Sequence, residues 1–203
     1  MPPTNDHDYT AEPASAHRPG EVRFRYGGRE LVFATDSGVF SRRELDRGTE
    51  VLLGALPDVL TGPVLDMGCG YGAIGVAVGA RWPGLEVTMA DVNRRALELA
   101  RENARKNGVE AEIMESDGYA ALAGRRFAAI LQNPPIRAGK AVIYALFEQA
   151  RQFLTPGGAL VLVIRTQQGA KSAERFLREH YARVETLDIR GGFRVLLATD
   201  RAA

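Results

Sequence analysis

The chain has 203 residues, 45% of them hydrophobic and 25% charged, which is the length and composition of about one soluble domain with a sizeable core. Its 26 basic and 25 acidic side chains leave a net charge of +1, which excludes a protein held on nucleic acid by bulk charge alone, so any such partner must be gripped by a local patch. The single cysteine, Cys69, excludes a disulfide framework and a cysteine metal cluster. Two of the three histidines, His7 and His17, fall in a polar N-terminal stretch and leave His180 alone, so no metal site is expected. Without an apolar run of membrane-spanning length or a secretory signal pattern, the chain is expected in the cytoplasm.

In chain order, residues 1–20 lack apolar periodicity and are expected to be a disordered leader; residues 21–203 are expected to form one domain. Within it, 21–46 would be a hairpin and loop and 47–203 the catalytic core. The alternating runs Val22–Tyr26 and Leu31–Phe33 flank Gly27-Gly28, which suits a tight hairpin turn. Thr35 to Asp46 reads as a loop and Arg47 to Leu56 as a short helix. Val64–Met67 is a short buried strand ending in a glycine-rich turn, followed by a helix over Ala73–Arg81 that Pro83 stops. Leu85–Ala90 reads as a strand. Arg94–Lys106 carries apolar residues at helical spacing, with Asn107-Gly108 as its stop. Strands over Ala111–Met114 and Phe127–Gln132 follow, then a helix from about Ala138 to Phe153 closed by Pro156-Gly157-Gly158. Ala159–Ile164 is a further strand, Ala170–His180 a helix, and Val184–Ile189 and Phe193–Thr199 are strands joined by Arg190-Gly191-Gly192. Alternating strands and helices predict an α/β fold of three layers. The sheet should be doubly wound, mostly parallel and seven-stranded. Its last two strands have no room for a crossover helix and must pair antiparallel at one edge.

The first core strand runs into Asp66-Met67-Gly68-Cys69-Gly70-Tyr71-Gly72. Glycines at alternate positions allow a sharp turn and a close ligand approach, and the helix that follows points free N–H groups into the turn. The spacing also fits a dinucleotide-binding turn, with Asp91 at the distance of a ribose acceptor. Two features tilt the balance away from it. Beside a pyrophosphate the Asp66 carboxylate would repel, whereas it can accept from the ammonium of a bound amino acid. Nicotinamide chemistry, moreover, requires neither the Asn-Pro-Pro run nor the terminal hairpin. Asp91 is a candidate for the two ribose hydroxyls, with a helix N-cap as its plainer reading. Asp117, in Ser116-Asp117-Gly118, is a candidate acceptor for an adenine amine, or simply a turn residue.

Asn133-Pro134-Pro135-Ile136 follows an apolar strand. A delocalised amine nitrogen is a poor nucleophile; two acceptors opposite its two N–H groups draw it towards pyramidal geometry and free its lone pair. The Asn133 side-chain oxygen and the Pro134 carbonyl are candidates for those acceptors, with the prolines holding the corner rigid.

The Asp66–Gly72 loop, Ala90–Ala96, Asn133–Lys140, the Phe40-Ser41…Leu45–Thr49 run and Gly191–Val195 together resemble the methyltransferase small domain family, over roughly Val22 to Ala198. The resemblance implies a Rossmann-like class I methyltransferase that uses S-adenosylmethionine. It implies that Asp66, Gly68, Gly70, Tyr71, Gly72, Asp91, Asp117, Asn133 and Thr49 bind the cofactor, and that Asn133 and Pro134 are catalytic. The family contains ribosomal RNA guanine-N2 methyltransferases, so the favoured partner is RNA as substrate. Two departures stand out. The bacterial ribosomal enzymes carry an extra N-terminal domain, and many amine methyltransferases place an aromatic after Asn-Pro-Pro where this chain has Ile136. Pro135, Ile136 and Arg137 are candidate substrate contacts, with Phe40 or Phe193 for base stacking. Arg42, Arg43, Arg137, Lys140, Lys171 and Arg194 are candidates for phosphate contacts. Methylation of a protein glutamine amide or of a small planar amine stays open, as does a non-catalytic scaffold.

Overall fold

The structure is a computed structural model that describes residues 18–36, 45–135 and 138–200; residues 1–17 of the expected leader and most of the loop expected at 35–46 lie outside them. The elements, in order, are β1 (Gly20–Tyr26), β2 (Arg29–Thr35), α1 (Arg47–Ala55), β3 (Val64–Met67), α2 (Ala73–Arg81), β4 (Val87–Asp91), α3 (Arg94–Lys106) and β5 (Glu112–Glu115). They continue with β6 (Phe127–Gln132), α4 (Lys140–Ala150), β7 (Leu154–Arg165), α5 (Ala170–His180), β8 (Arg183–Arg190) and β9 (Phe193–Thr199). Among the described residues β3–β9 form one seven-stranded sheet in the order β5-β4-β3-β6-β7-β9-β8, and β1 pairs with β2 in a separate hairpin. The sheet is parallel from β5 to β7, and β9 pairs antiparallel with both β7 and β8. This is the expected fold.

Why the sheet is covered on both faces follows from strand alternation. One core holds Val64, Ala129, Leu131, Val161 and Val195 from the strands, with Val51, Leu52, Leu53, Val76 and Leu97 from α1, α2 and α3. The opposite core holds Leu65, Ile130, Leu160, Leu162 and Leu196, covered by Ile143 and Phe147 of α4 and Leu177 of α5. A fully buried leucine such as Leu52 contributes enough that truncation to alanine costs about 2–5 kcal/mol.

The hairpin is docked on the first face by polar side chains as well as apolar ones. Leu31 and Phe33 are fully buried. The outer edge of β2 is paired by two asparagines one turn apart, Asn103 on α3 and Asn107 at its C-cap. Asn107 accepts from Val32 N–H (3.0 Å) and donates to Val32 C=O (2.9 Å). Asn103 does the same for Ala34, at 2.6 and 2.9 Å. Two carboxamides thus stand in for a third strand. The Arg29 guanidinium donates to Ala80 C=O (3.2 Å) and Asn107 C=O (3.1 Å), satisfying carbonyls at the ends of α2 and α3.

Several ends shift by one or two residues from the sequence reading, as at β1, β2, α1, β4, β5 and β8, and two boundaries differ by more. Pro156-Gly157-Gly158 does not precede the strand but lies within β7, which starts at Leu154 and bulges where Phe127 pairs with Leu154 and Ala129 with Ala159. An added Cβ at Gly158 would stand 2.9–3.1 Å from three carbonyl oxygens, so only glycine fits that bulge. The helix expected up to Phe153 ends at Ala150 and tightens into a 3₁₀ turn over Arg151–Phe153.

Candidate active site

From β3 the chain runs outward on one side to β4 and β5 and on the other to β6 and β7, so the strand order reverses between β3 and β6. Open sheets bind ligands at the carboxyl ends of strands at such a point. The glycine loop, Asp91 and Asn133 all stand there.

Gly68, Gly70 and Gly72 have φ of 70°, 55° and 87°, the left-handed region glycine occupies without cost. Gly68 and Cys69 donate to Ala90 C=O at 2.8 and 3.1 Å, which folds the loop back over the end of β4. An added Cβ on Gly68 or Gly70 would meet nothing within 4 Å, whereas one on Gly72 would press on Met89 and Ala100 at 3.2 Å. The first two glycines therefore face open space and the third faces the protein. Tyr71 is buried edge-on against Phe33 at 5.8 Å, and its carbonyl accepts from Asn103. Its side chain docks the hairpin rather than facing the cleft.

Asp66 is 1% exposed and projects towards α2, where its Oδ2 accepts from Gly75 N–H at 2.8 Å. Its Oδ1 is buried and has no protein donor among the described residues. Burial pushes its pKa up to about 7, with the nearby Asp91 charge adding to the rise and the Gly75 N–H opposing it. A half-satisfied carboxylate of this kind is costly alone and calls for a cationic donor. Gly75 was not singled out in the sequence; it is required because an added Cβ would lie 2.6 Å from Met89 and 3.2 Å from Asp66 Oδ2.

Asp91 accepts from Gly70 N–H (2.8 Å) and Asn93 N–H (2.9 Å), one on each oxygen. The helix cap it was weighed against is taken by Asn93, whose side chain accepts from Ala96 N–H. The Asp91 carboxylate keeps acceptor capacity beyond these N–H groups, as a diol would need. Burial raises its pKa, opposed by the N–H groups of Asn93, Gly70 and Val92. Asp117 is exposed just past β5. Its turn is closed by Ser116, whose hydroxyl donates to Gly118 C=O and accepts from Ala121 N–H.

At the end of β6, Asn133 follows Leu131 by two residues and so shares the α1 face with Asp66, which pairs with Leu131 in register. Its Nδ2 donates to Asp46 Oδ2 at 2.7 Å and Thr49 Oγ1 at 3.1 Å. Both belong to the start of α1, where Asp46 is the N-cap and accepts from Thr49 N–H at 2.9 Å. The asparagine oxygen is thereby turned the other way. Pro135 C=O accepts from Ala138 N–H, while Pro134 C=O accepts from none of the described residues. Two acceptors, Asn133 Oδ1 and Pro134 C=O, are left on one rigid corner.

Phe193 is buried at the start of β9, its ring against Gly48 and under the Arg165 guanidinium at 5.2 Å. That packing sets it beside the cap of α1. Phe40, Arg42, Arg43, Ile136 and Arg137 lie outside the described residues. Arg194 is not a free phosphate contact: it pairs with Glu174 on α5 at 2.5 Å. Lys140, Lys171 and Gln167-Gln168 are exposed. The sequence reading passed over Asp46 as a functional residue because it looked like the end of a loop; the Asp-x-x-Thr cap spacing was the signal available.

A dinucleotide's pyrophosphate would gain nothing from an unsatisfied carboxylate at the glycine turn, and an amino-acid ammonium would gain a great deal. That difference puts the fold and site in the class of S-adenosylmethionine-dependent methyltransferases. Residues 30–197 match the methyltransferase small domain, and the chain belongs to that family. It is 38% identical over 198 residues to the uncharacterized protein YbxB of Bacillus subtilis, covering 96% of this chain and 98% of that one. It is 37% identical over 183 residues to ribosomal RNA small subunit methyltransferase C of Aeromonas hydrophila, covering 88% of this chain but 52% of that one. Among solved structures it is similar to a T. thermophilus 16S rRNA N2 methyltransferase in complex with AdoMet and guanosine. There the TM-score is 0.80 at 29% identity, over 94% of this chain and 52% of that one. This chain thus spans about half the length of the ribosomal RNA methyltransferases it matches and nearly all of YbxB.

Proposed function

We propose that this chain methylates the exocyclic N2 amine of guanine in small-subunit ribosomal RNA, in the cytoplasm, with S-adenosylmethionine as donor. One observation carries the reading: the Asn133 amide nitrogen is consumed by Asp46 and Thr49, which leaves its oxygen as a presented acceptor beside Pro134 C=O. When bound, the donor supplies an electrophilic methyl on a positively charged sulfur. Asp66 Oδ1 would take its ammonium, the Gly68–Gly72 backbone its amino-acid portion, Asp91 its ribose hydroxyls and Asp117 its adenine amine, with Thr49 close by. The orphaned Asp66 oxygen and the open space over Gly68 and Gly70 fit such a molecule.

The work left to the protein is positional. Guanine N2 has its lone pair delocalised into the ring. Asn133 Oδ1 and Pro134 C=O, each accepting one N–H, favour a pyramidal nitrogen whose lone pair points away from the corner. Rigid placement of that kind supplies rate without a strong base. The proton leaves easily once the nitrogen is alkylated and positively charged. Guanine is favoured over a glutamine amide by the relatives, whose names specify ribosomal RNA and, in the T. thermophilus complex, guanosine.

The test is to incubate the purified chain with tritium-labelled donor and small-subunit particles from a strain lacking it. RNase-sensitive label that digests to N2-methylguanosine is expected; label in protein or small molecules would refute the substrate. Asn133→Ala should lower kcat by about 100-fold or more while donor affinity, read by calorimetry, stays near native. Native turnover in that variant would refute the catalytic role.

A further inference from the structure

We propose that Asp46 is a positioning residue that decides which end of the Asn133 carboxamide meets the substrate amine. The inference rests on the catalytic reading of Asn133 given above. A carboxamide is nearly symmetric in shape, and a half-turn about its last side-chain bond exchanges an acceptor for a donor. Facing the substrate, the oxygen would receive an amine N–H; the NH₂ would meet that amine donor to donor and hold nothing. Packing cannot make the choice. The Asp46 carboxylate can: it accepts only, and it sits 2.7 Å from Asn133 Nδ2. A flipped amide would set two oxygens against each other at that distance with no proton between them. Thr49 Oγ1, at 3.1 Å, holds the second N–H of the same group.

Asp46 can do this because it is itself fixed. Its Oδ2 also accepts from Thr49 N–H at 2.9 Å, so one oxygen both caps α1 and orients the asparagine. The helix is held by the buried Val51, Leu52 and Leu53 and tied to the hairpin by Tyr26 OH donating to Leu53 C=O. Gly48 is part of the device: an added Cβ would lie 2.8 Å from Asp46 Oδ2 and 3.0 Å from the Phe193 ring. The run Asp46-Arg47-Gly48-Thr49 therefore reads as an anchor for the corner on β6, 87 residues away in sequence.

Two substitutions separate this role from simple capping. Serine caps a helix as well as aspartate but is too short to reach Asn133, whereas asparagine caps it and can offer an oxygen to both donors. With donor and small-subunit particles from a strain lacking the protein, Asp46→Ser should lose about 10- to 100-fold in kcat. Its KM, donor affinity and thermal midpoint should stay near native. Asp46→Asn should retain most of the activity. In ¹⁵N NMR of the substrate-free chain, the Asn133 carboxamide protons should be protected from exchange in the native protein and in Asp46→Asn, and unprotected in Asp46→Ser. A serine variant with native kcat, or an asparagine variant as slow as serine, overturns the role. An inactive Asn133→Ala beside a fully active Asp46→Ser overturns positioning alone; an active Asn133→Ala overturns the catalytic reading with it.

Discussion

Asp66 spends one oxygen on Gly75 N–H and keeps the other buried without a partner among the described residues, an arrangement that costs the empty chain and serves the loaded one. With its pKa raised from 3.8 to about 7, the folded state holds a proton there that the unfolded state has released. Stability contributed by that proton is therefore present below about pH 4 and is lost as pH rises towards about 7. Urea unfolding without donor should show native stability declining more steeply across that window than in Asp66→Asn, which keeps only the share of other groups such as Asp91. Donor binding has the opposite slope. It should strengthen as Asp66 ionises, level off near pH 7, and weaken above about pH 8, where an α-ammonium loses its proton. Calorimetry over that range checks this, and Asp66→Asn should remove the acid limb; an acid limb that survives would assign it to another group. At Gly70 the backbone demands φ of 55° while the space beyond is open, so Gly70→Val should both strain the loop and weaken donor binding.

At the scale of elements, the hairpin is held by α3 as much as by its own apolar face. Asn103→Ala would strip the Ala34 N–H and C=O of their partners and also release Tyr71 C=O. Each buried group left unpaired costs about 1–3 kcal/mol, which should lower the thermal midpoint by about 2–4 °C per kcal/mol in a chain of this size. The loss should extend to catalysis, because Tyr26 of the same hairpin braces α1, the helix whose cap orients Asn133. The β7 bulge is a local element with a different logic. Its glycine at 158 answers to three nearby carbonyls rather than to a turn, and so a Pro-Gly-Gly run that looks like a stop lies inside a strand.

Across the whole molecule, 26 basic and 25 acidic side chains nearly cancel, so any grip on a polyanion must be local. Arg165 ends β7, Arg190 ends β8, and Arg47 starts α1 within reach of the Gly191 turn between β8 and β9. All three are exposed at the strand ends where the Asn133 corner stands. Arg47 is paired with Glu50 at 2.6 Å and Arg190 lies beside Asp188 at 3.5 Å, each on the surface where a phosphate can compete for it. Replacing them together with glutamine should raise KM for ribosomal particles and flatten its salt dependence. The slope should fall by about 1 for each phosphate that is no longer neutralised. An unchanged salt dependence would place the RNA-binding surface elsewhere.

What the sequence by itself determined was whatever depends on near neighbours. Periodicity and caps set α2, α3, α5 and β6 to their observed ends, and glycine spacing, with the Asn-Pro-Pro run, set the candidate corner. Strand–helix alternation then fixed a parallel sheet with an antiparallel edge, because no other closure suits segments of those lengths. Only the tertiary structure decided which polar groups are spent and which are left over. Asn93 takes the cap for which Asp91 was the other candidate, Glu174 occupies Arg194, and Asp46 turns Asn133. Each of those choices is a hydrogen bond or ion pair between atoms brought together by folding. A linear pattern names donors and acceptors but carries no information about which of them meet.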